Sequence, residues 1–222
     1  MAYDWNFNVF SQYVPAFVSG TVVTIELSVL SSLLGTVGGF ALGPVLRVKP
    51  LDRISLPIND MFRAVPTLVL IFFFYYFPYK EMFGISAPSA FFAACAALTL
   101  SQAVYTADIV RAAVDGVSKG SILGARSVGL KESAIWQYII IPDIFRQILP
   151  SLIAFYIGNV RLSSLASVIG CEDVVFVARI TIGQKFRSLE AWIIVAVIFI
   201  VLVLPLTWFA RKLEGSQWLK RR

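Results

Sequence analysis

Residues 115–150 read DGVSKGSILGARSVGLKESAIWQYIIIPDIFRQILP, a polar island between two long apolar stretches. Lys119, Arg126, Lys131 and Glu132 are too closely spaced for a bilayer core, where each charge at a helix centre costs about 2.5 to 3.5 kcal/mol on insertion scales. The island therefore lies outside the membrane. Ser118 offers an N-cap and Gly129 a C-terminal stop, so Lys119 to Val128 reads as a short surface helix. Gly120, Gly124 and Ala125 remove side-chain bulk where such a helix could seat against another protein. Pro142 and Pro150 then frame the start of an apolar helix, since a missing backbone donor is tolerated in the first turn. The expected unit is a rigid elbow of short helix, turn and proline-marked helix.

Outward from the island the chain is apolar. Of 222 residues, 58% are hydrophobic and 14% aromatic, and several runs reach spanning length, which places the chain in the membrane class. The net charge of +6 does not point to nucleic acid, because the cations sit in short loops between apolar runs rather than on one face with aromatics. Cys95 and Cys171 form no CxxC pair, and a chain without histidine cannot assemble the usual zinc or haem ligand sets. No metal site is expected, and both cysteines read as small apolar fillers. The first cation is Arg47, so no charged region precedes the first apolar run and that run is expected to direct insertion itself.

In chain order, residues 1–15 mix Trp5, Phe7, Phe10 and Tyr13 with Asp4, Asn6, Asn8 and Gln12, as an interfacial segment does. Residues 16–210 form one transmembrane domain with five expected spans, at about 16–46, 66–77, 89–114, 145–169 and 191–210, the last kinked at Pro205. Gly35, Gly38, Gly39 and Gly43 let the first span approach another helix closely. Arg47, Lys49, Arg53 and Arg63 mark a cationic loop before the second span. Residues 171–189 are too polar to cross, with Val174 to Ile182 fit for a short interfacial or gate helix, and residues 211–222 are a basic tail. With the 115–150 island inside the cell, only Lys80, Arg161, Arg179, Lys185 and Arg187 of the 19 cations fall outside. That bias puts the N-terminus outside and the C-terminus in the cytoplasm.

Polar groups at membrane depth are functional candidates, because leaving them unpaired there is costly. Glu26, Asp108, Asn159 and Arg161 qualify, Glu26 least, since the exposed end of its span could hydrate it. Asp108 and Arg161 either pair with each other, with Arg161 alternatively reaching the interface, or line a central cavity whose opposite charges meet a polar solute. The chain has no G-x-x-x-x-G-K-[ST], hence no phosphate-cradling loop, so any work driven by ATP needs a partner. The helix at Lys119 to Val128 is then either a docking knob for that partner or an ordinary amphipathic surface helix.

Lys119-Gly120, Ala125-Arg126, Gly129, Ile141-Pro142 and Leu149-Pro150 resemble the cytoplasmic loop of the permease subunits of polar amino acid ABC importers, the binding-protein-dependent transport system inner membrane component family. Leu123 and Gly124 stand where that family usually has Glu and Ala. Arg63 and Pro66 match the opening of its second helix with Ala64-Val65 in place of Gly-Thr; Tyr105, Asp108 and Arg111 match an Ala-Tyr-x-x-Glu-x-x-Arg pattern with Asp for Glu; Arg161, Ser163, Ser164 and Leu165 resemble a Lys-x-Thr-Ser-Leu segment. The resemblance implies an all-α polytopic membrane protein with five transmembrane helices and a cytoplasmic coupling helix, the type I importer permease fold. It implies import of a polar amino acid or close derivative across the bacterial inner membrane by alternating access. The coupling loop would be residues 115–142, with Gly120, Leu123, Gly124, Ala125, Arg126 and Gly129 at the ATPase contact. Further implications are ATPase subunits carrying ATP and Mg, a periplasmic or extracellular substrate-binding protein, a surrounding lipid bilayer and a second permease subunit. No cofactor is expected in this chain. Because Leu123 replaces the Glu thought to meet a basic group on the ATPase, a heterodimer with a Glu-bearing permease is favoured over a homodimer.

Two other classes fit less well. An intramembrane enzyme lacks a Ser/His or metal dyad in a chain without histidine, and its 13 acids are scattered. An ion-coupled secondary transporter of small polar solutes would place paired acids in broken helices and need no docking loop. Neither composition nor motif fixes the substrate within its class.

Overall fold

The computed structural model describes residues 3–214, all of whose regular structure is helical. A 3₁₀ turn, Phe7–Tyr13, runs directly into α1 (Val14–Val45), with Pro15 in the first turn where no backbone donor is needed. The interfacial segment is therefore continuous with the first span. α2 (Asp52–Ala64) follows, then α3 (Thr67–Tyr76), the short α4 (Tyr79–Phe83) and α5 (Ala90–Gly116), whose N-cap is Ser89. Beyond the island's α6 (Lys119–Ser127), a helical stretch is built from α7 (Glu132–Ile135), a π turn at Trp136–Ile140, α8 (Ile141–Leu162) and a 3₁₀ end at Ser163–Ile169. α9 (Val174–Lys185) and α10 (Ser188–Glu214) complete the chain. The tail cations Lys220, Arg221 and Arg222 lie outside the described residues.

Four described stretches are long and apolar enough to cross a bilayer: Phe7–Val45, Ala90–Gly116, Glu132–Ile169 and Ser188–Leu213. The pair α2–α3, bent by 96°, reaches spanning length and hydropathy only when its two helices are taken together. The expected cationic loop before the second span is thus replaced by a helix. Ile54, Ile58 and Met61 fall at helical spacing opposite Ser55, Asn59 and Arg63, so residues 52–64 are amphipathic despite their charge. The bend has a local cause: Val65 is held extended (φ −80°, ψ 124°) ahead of Pro66, where the proline ring disfavours helical backbone. The fourth span also begins earlier than expected. Pro142 sits in the first turn of α8 as expected, directly after the π turn, whereas Pro150 lies inside α8.

The bundle is organised on α1 and α5, which run parallel. Besides Phe17 and Leu27, the buried positions along α1 are Gly20, Thr24, Ser28, Ser31, Ser32, Gly35, Gly39 and Gly43, a seam of small residues. A Cβ on Gly35, Gly39 or Gly43 would collide in turn with Gln102, Thr106 and Val110, and at Gly43 the separation would be 2.7 Å. Backbones this close gain dispersion contacts with no hydrophobic driving force, which the bilayer does not supply. The hydroxyls cost little there: Thr24, Ser28 and Ser31 donate to carbonyls one turn back at 2.9, 2.6 and 2.6 Å.

At the end of the bundle opposite α6, the chain's beginning meets its last helix. Glu190, fully buried at the start of α10, accepts from the Tyr3 hydroxyl (2.6 Å) and the Asn6 backbone amide (3.3 Å) and pairs with Arg187 (3.3 Å). Arg187 also donates to the Asp4 carbonyl. Phe10 and Phe17 pack with Val174, Ala178, Ala191 and Val195, so α9 belongs to the core on one side.

Candidate functional site

α6 stands clear of the bundle as a separately stabilised stub. Ser118 caps it by accepting from the Ser121 amide (3.4 Å). At the other end the Gly129 and Leu130 amides donate back to the Arg126 and Ala125 carbonyls (3.0 and 3.1 Å), with Gly129 at φ +80°. This paired closure satisfies the orphan carbonyls of the last turn and needs a residue that tolerates left-handed backbone.

The six coupling candidates divide by geometry. Ala125 is buried with Val117, Ile135 and Ile140 and faces the bundle, not a partner. Arg126 is bidentate to Glu132 (2.6 and 3.2 Å), bracing α6 against α7 across the Gly129 turn. That carboxylate pushes the Arg126 guanidinium further above its already high value. Gly120, Leu123 and Gly124 are exposed, Leu123 by 62%. Nothing lies within 4 Å of a Cβ built on Gly124. Three residues therefore present a surface, while Ala125, Arg126 and Gly129 hold it in place.

The membrane-depth candidates are not gathered into one cluster. Asn159 is buried, and its amide nitrogen donates to the Ser31 and Ser32 hydroxyls, each at 2.8 Å, tying α8 to the α1 seam. Arg161, two residues farther along α8, is exposed beside a groove of about 420 Å³ shared with Ser164, Phe199, Ile200 and Val203. Asp108 lies level with the Gly39–Gly43 turn of α1, roughly 15 Å along the bundle from the Asn159 level at 1.5 Å rise per residue. The Asp108–Arg161 pair, one of the alternatives for these residues, is therefore not formed. Glu26 is exposed on α1 among Val22, Val29 and Leu33.

Asp108 has nearer partners. Its carboxylate pairs with Arg63 (2.9 Å) and Arg111 (3.0 Å). Arg63 also lies over the Tyr105 ring, 5.4 Å from its centroid, and Tyr105 stacks on Phe155 at 5.2 Å. One turn earlier on α2, the buried Asn59 donates to the Val104 carbonyl (3.4 Å). The polar face of α2 is thus fastened to α5, and Arg47–Asp115 (2.9 Å) closes the same end of the α1–α5 pair. Arg63 is absent from the sequence-derived candidates. Its signal is its i, i+4 relation to Asn59, visible only once residues 52–64 are read as a helix.

Asp173 is a second residue that sequence reasoning passed over. It caps α9 through Oδ1, which accepts from the Phe176 amide (2.8 Å), while its Oδ2 is buried with no hydrogen-bond partner among the described residues. Burial pushes this carboxyl up to about 7.

Residues 35–217 match the family described as "binding-protein-dependent transport system inner membrane component". The chain is 32% identical to the octopine transport system permease protein OccM of Rhizobium radiobacter, covering 93% of this chain and 88% of that one. It is 31% identical to the probable amino-acid ABC transporter permease protein PatM of Vibrio harveyi, covering 97% and 99%. It is 28% identical to the glutamine transport system permease protein GlnP of Escherichia coli K12, covering 96% and 97%. A chain of the crystal structure of an amino acid ABC transporter with histidines superposes with a TM-score of 0.85 at 29% identity, over 96% of this chain and 99% of that one. A chain of the inward-facing MetNI methionine ABC transporter superposes at 0.74 with 20% identity, over 92% and 98%, a likeness of fold alone. Taken with the stub helix and the bundle, these matches place the chain in the binding-protein-dependent transport system inner membrane component family, as an ABC transporter permease subunit.

Proposed function

We propose that this chain moves a polar amino acid or close derivative inward across the bacterial inner membrane by alternating access, driven by a separate ATPase that grips α6. The observation that carries this reading is the stub itself: capped at both ends, braced by Arg126–Glu132, and offering Gly120, Leu123 and Gly124 to nothing in its own chain. A rigid, tightly closed helix transmits displacement, where a frayed one would absorb it. ATP and Mg are held by the partner, a secreted binding protein delivers substrate on the other face, and the N-terminus lies outside with the C-terminus in the cytoplasm. Leu123 cannot form the charge-assisted contact of the Glu it replaces, worth roughly 1.5 to 3 kcal/mol. A heterodimer with a Glu-bearing permease loses that contact once and a homodimer twice, which favours the heterodimer.

Gly124→Trp tests the reading, because an indole there meets open space within this chain. The variant is expected to fold and assemble in the membrane with unchanged thermal stability while binding-protein-stimulated ATP hydrolysis and uptake are lost. Normal coupled uptake by that variant would sink the docking assignment. Stable self-assembly and full transport on co-expression with the ATPase alone would refute the heterodimer.

A further inference from the structure

We infer that α2 is an in-plane anchor, seated at the headgroup–acyl boundary of the leaflet on the α6 side, with phospholipid as the occupant of its outward face. α5 serves as a depth ruler. Its first turn at Ala90 follows the charged Lys80-Glu81 turn at one boundary, and Val104 and Asp108 lie about 21 and 27 Å farther along at 1.5 Å per residue. Those are the residues that receive Asn59 and Arg63. Against an apolar core of about 30 Å, α2 therefore sits where the opposite boundary falls. Thr67, at the start of α3, meets Ser101 (3.4 Å), one turn shallower on the same ruler, so α3 enters the core while α2, at 96° to it, runs flat.

The two faces of α2 agree with that placement. Ser55, Asn59 and Arg63 turn toward α5, and Leu51, Ile54, Ile58 and Met61 turn outward, with Ile54 67% exposed. This outward face continues from the exposed Val45 and Val48 at the end of α1. Water at that depth would leave the face unsatisfied, whereas lipid acyl chains match it. Lys49 and Arg53, both exposed and without an ion-pair partner among the described residues, stand at the start of the helix to meet lipid phosphate, with the half-buried Asp52 between them.

The inference rests on membrane residence and not on the substrate or the coupling partner, and the test reads position, not transport. The full chain with its partners is placed in phosphatidylcholine–phosphatidylglycerol nanodiscs carrying a nitroxide at Ile54→Cys, Ile58→Cys or Arg53→Cys. Cys95 and Cys171 are buried, so the unsubstituted chain serves as the blank. Labels at 54 and 58 are expected to lose collision with an aqueous nickel chelate and gain it with oxygen, while the label at 53 keeps its chelate collisions. Lys49→Gln with Arg53→Gln is expected to move position 58 toward water; unchanged depth overturns the phosphate contact. Chelate collisions at 54 and 58 equal to those at 53 overturn the anchor, as does an Ile58→Cys disulfide to a second permease, which would make this face a subunit contact.

Discussion

Gly39 and Gly124 stand in segments that look alike on paper, each dense in small residues and each part of a helix. In the structure they answer opposite demands. Gly39 is small because α5 already occupies the space, where a Cβ would strike Thr106 and Ala103. Gly124 is small with nothing within 4 Å of a Cβ. The first glycine is explained wholly within the chain. The second is not explained by any contact within the described residues. Emptiness around Gly124, not its smallness, is what leaves room there for a contact from outside the chain.

The contrast is broken most readily at the seam. Gly39→Leu is expected to cost about 3 kcal/mol through overpacking and to lower the unfolding midpoint in detergent by about 10 °C. A midpoint within two or so degrees of the parent, on the scale of about 1 kcal/mol or less, would mean that α1 and α5 can part cheaply.

Asp173 probes the seam's outer end, where a Cβ added to Gly20 would come within 3.0 Å of the Asp173 backbone carbonyl. Its folded pKa, about 7, lies above the unfolded value near 4. The folded state thus binds the proton more tightly, and stability is expected to fall as pH rises from about 4 to about 7, by on the order of 1 kcal/mol per unit, and to level off above. Asp173→Asn keeps a capping oxygen and should flatten that slope; an identical pH profile for parent and variant would remove the carboxyl from consideration. Asn159→Leu removes the donor to Ser31 and Ser32 while the Ser31 hydroxyl keeps its bond to the Leu27 carbonyl. A loss of about 1 kcal/mol, read as a lower midpoint, is expected from interhelical hydrogen bonds of this kind. The smallest effect has the opposite sign: Gly124→Ala should stabilise α6 by up to about 1 kcal/mol through helix propensity, seen as slower amide exchange at Ile122 to Arg126. Gly39→Ala in the same assay should destabilise, and a shared sign would erase the distinction between the two segments.

Features written in adjacent residues were legible in the sequence. Ser118 and Gly129 bound α6 and Ser89 starts α5, because a cap is made by residues a few positions away. The four glycines of α1 announced close packing through their spacing alone. What escaped was decided by distant partners. Asp108 was matched with Arg161 by charge and supposed depth, but nothing local shows that Arg63 arrives from another helix, and it arrives because α2 turns its polar side inward. The same inversion hid α2, whose cations read as a loop when charge is assumed to face solvent. Ala125 was counted in the docking set by motif, although its methyl fills the joint beneath the stub.

The Tyr3–Glu190 bond carries a consequence for the order of assembly. Tyr3 and Asn6 are synthesised more than 180 residues ahead of Glu190. Until then two early polar groups wait at the membrane surface for an acceptor not yet made, and afterward a carboxylate with 0% exposure has few other ways to be satisfied. Closure of this clasp is therefore a late event of assembly, available only once α10 has been delivered.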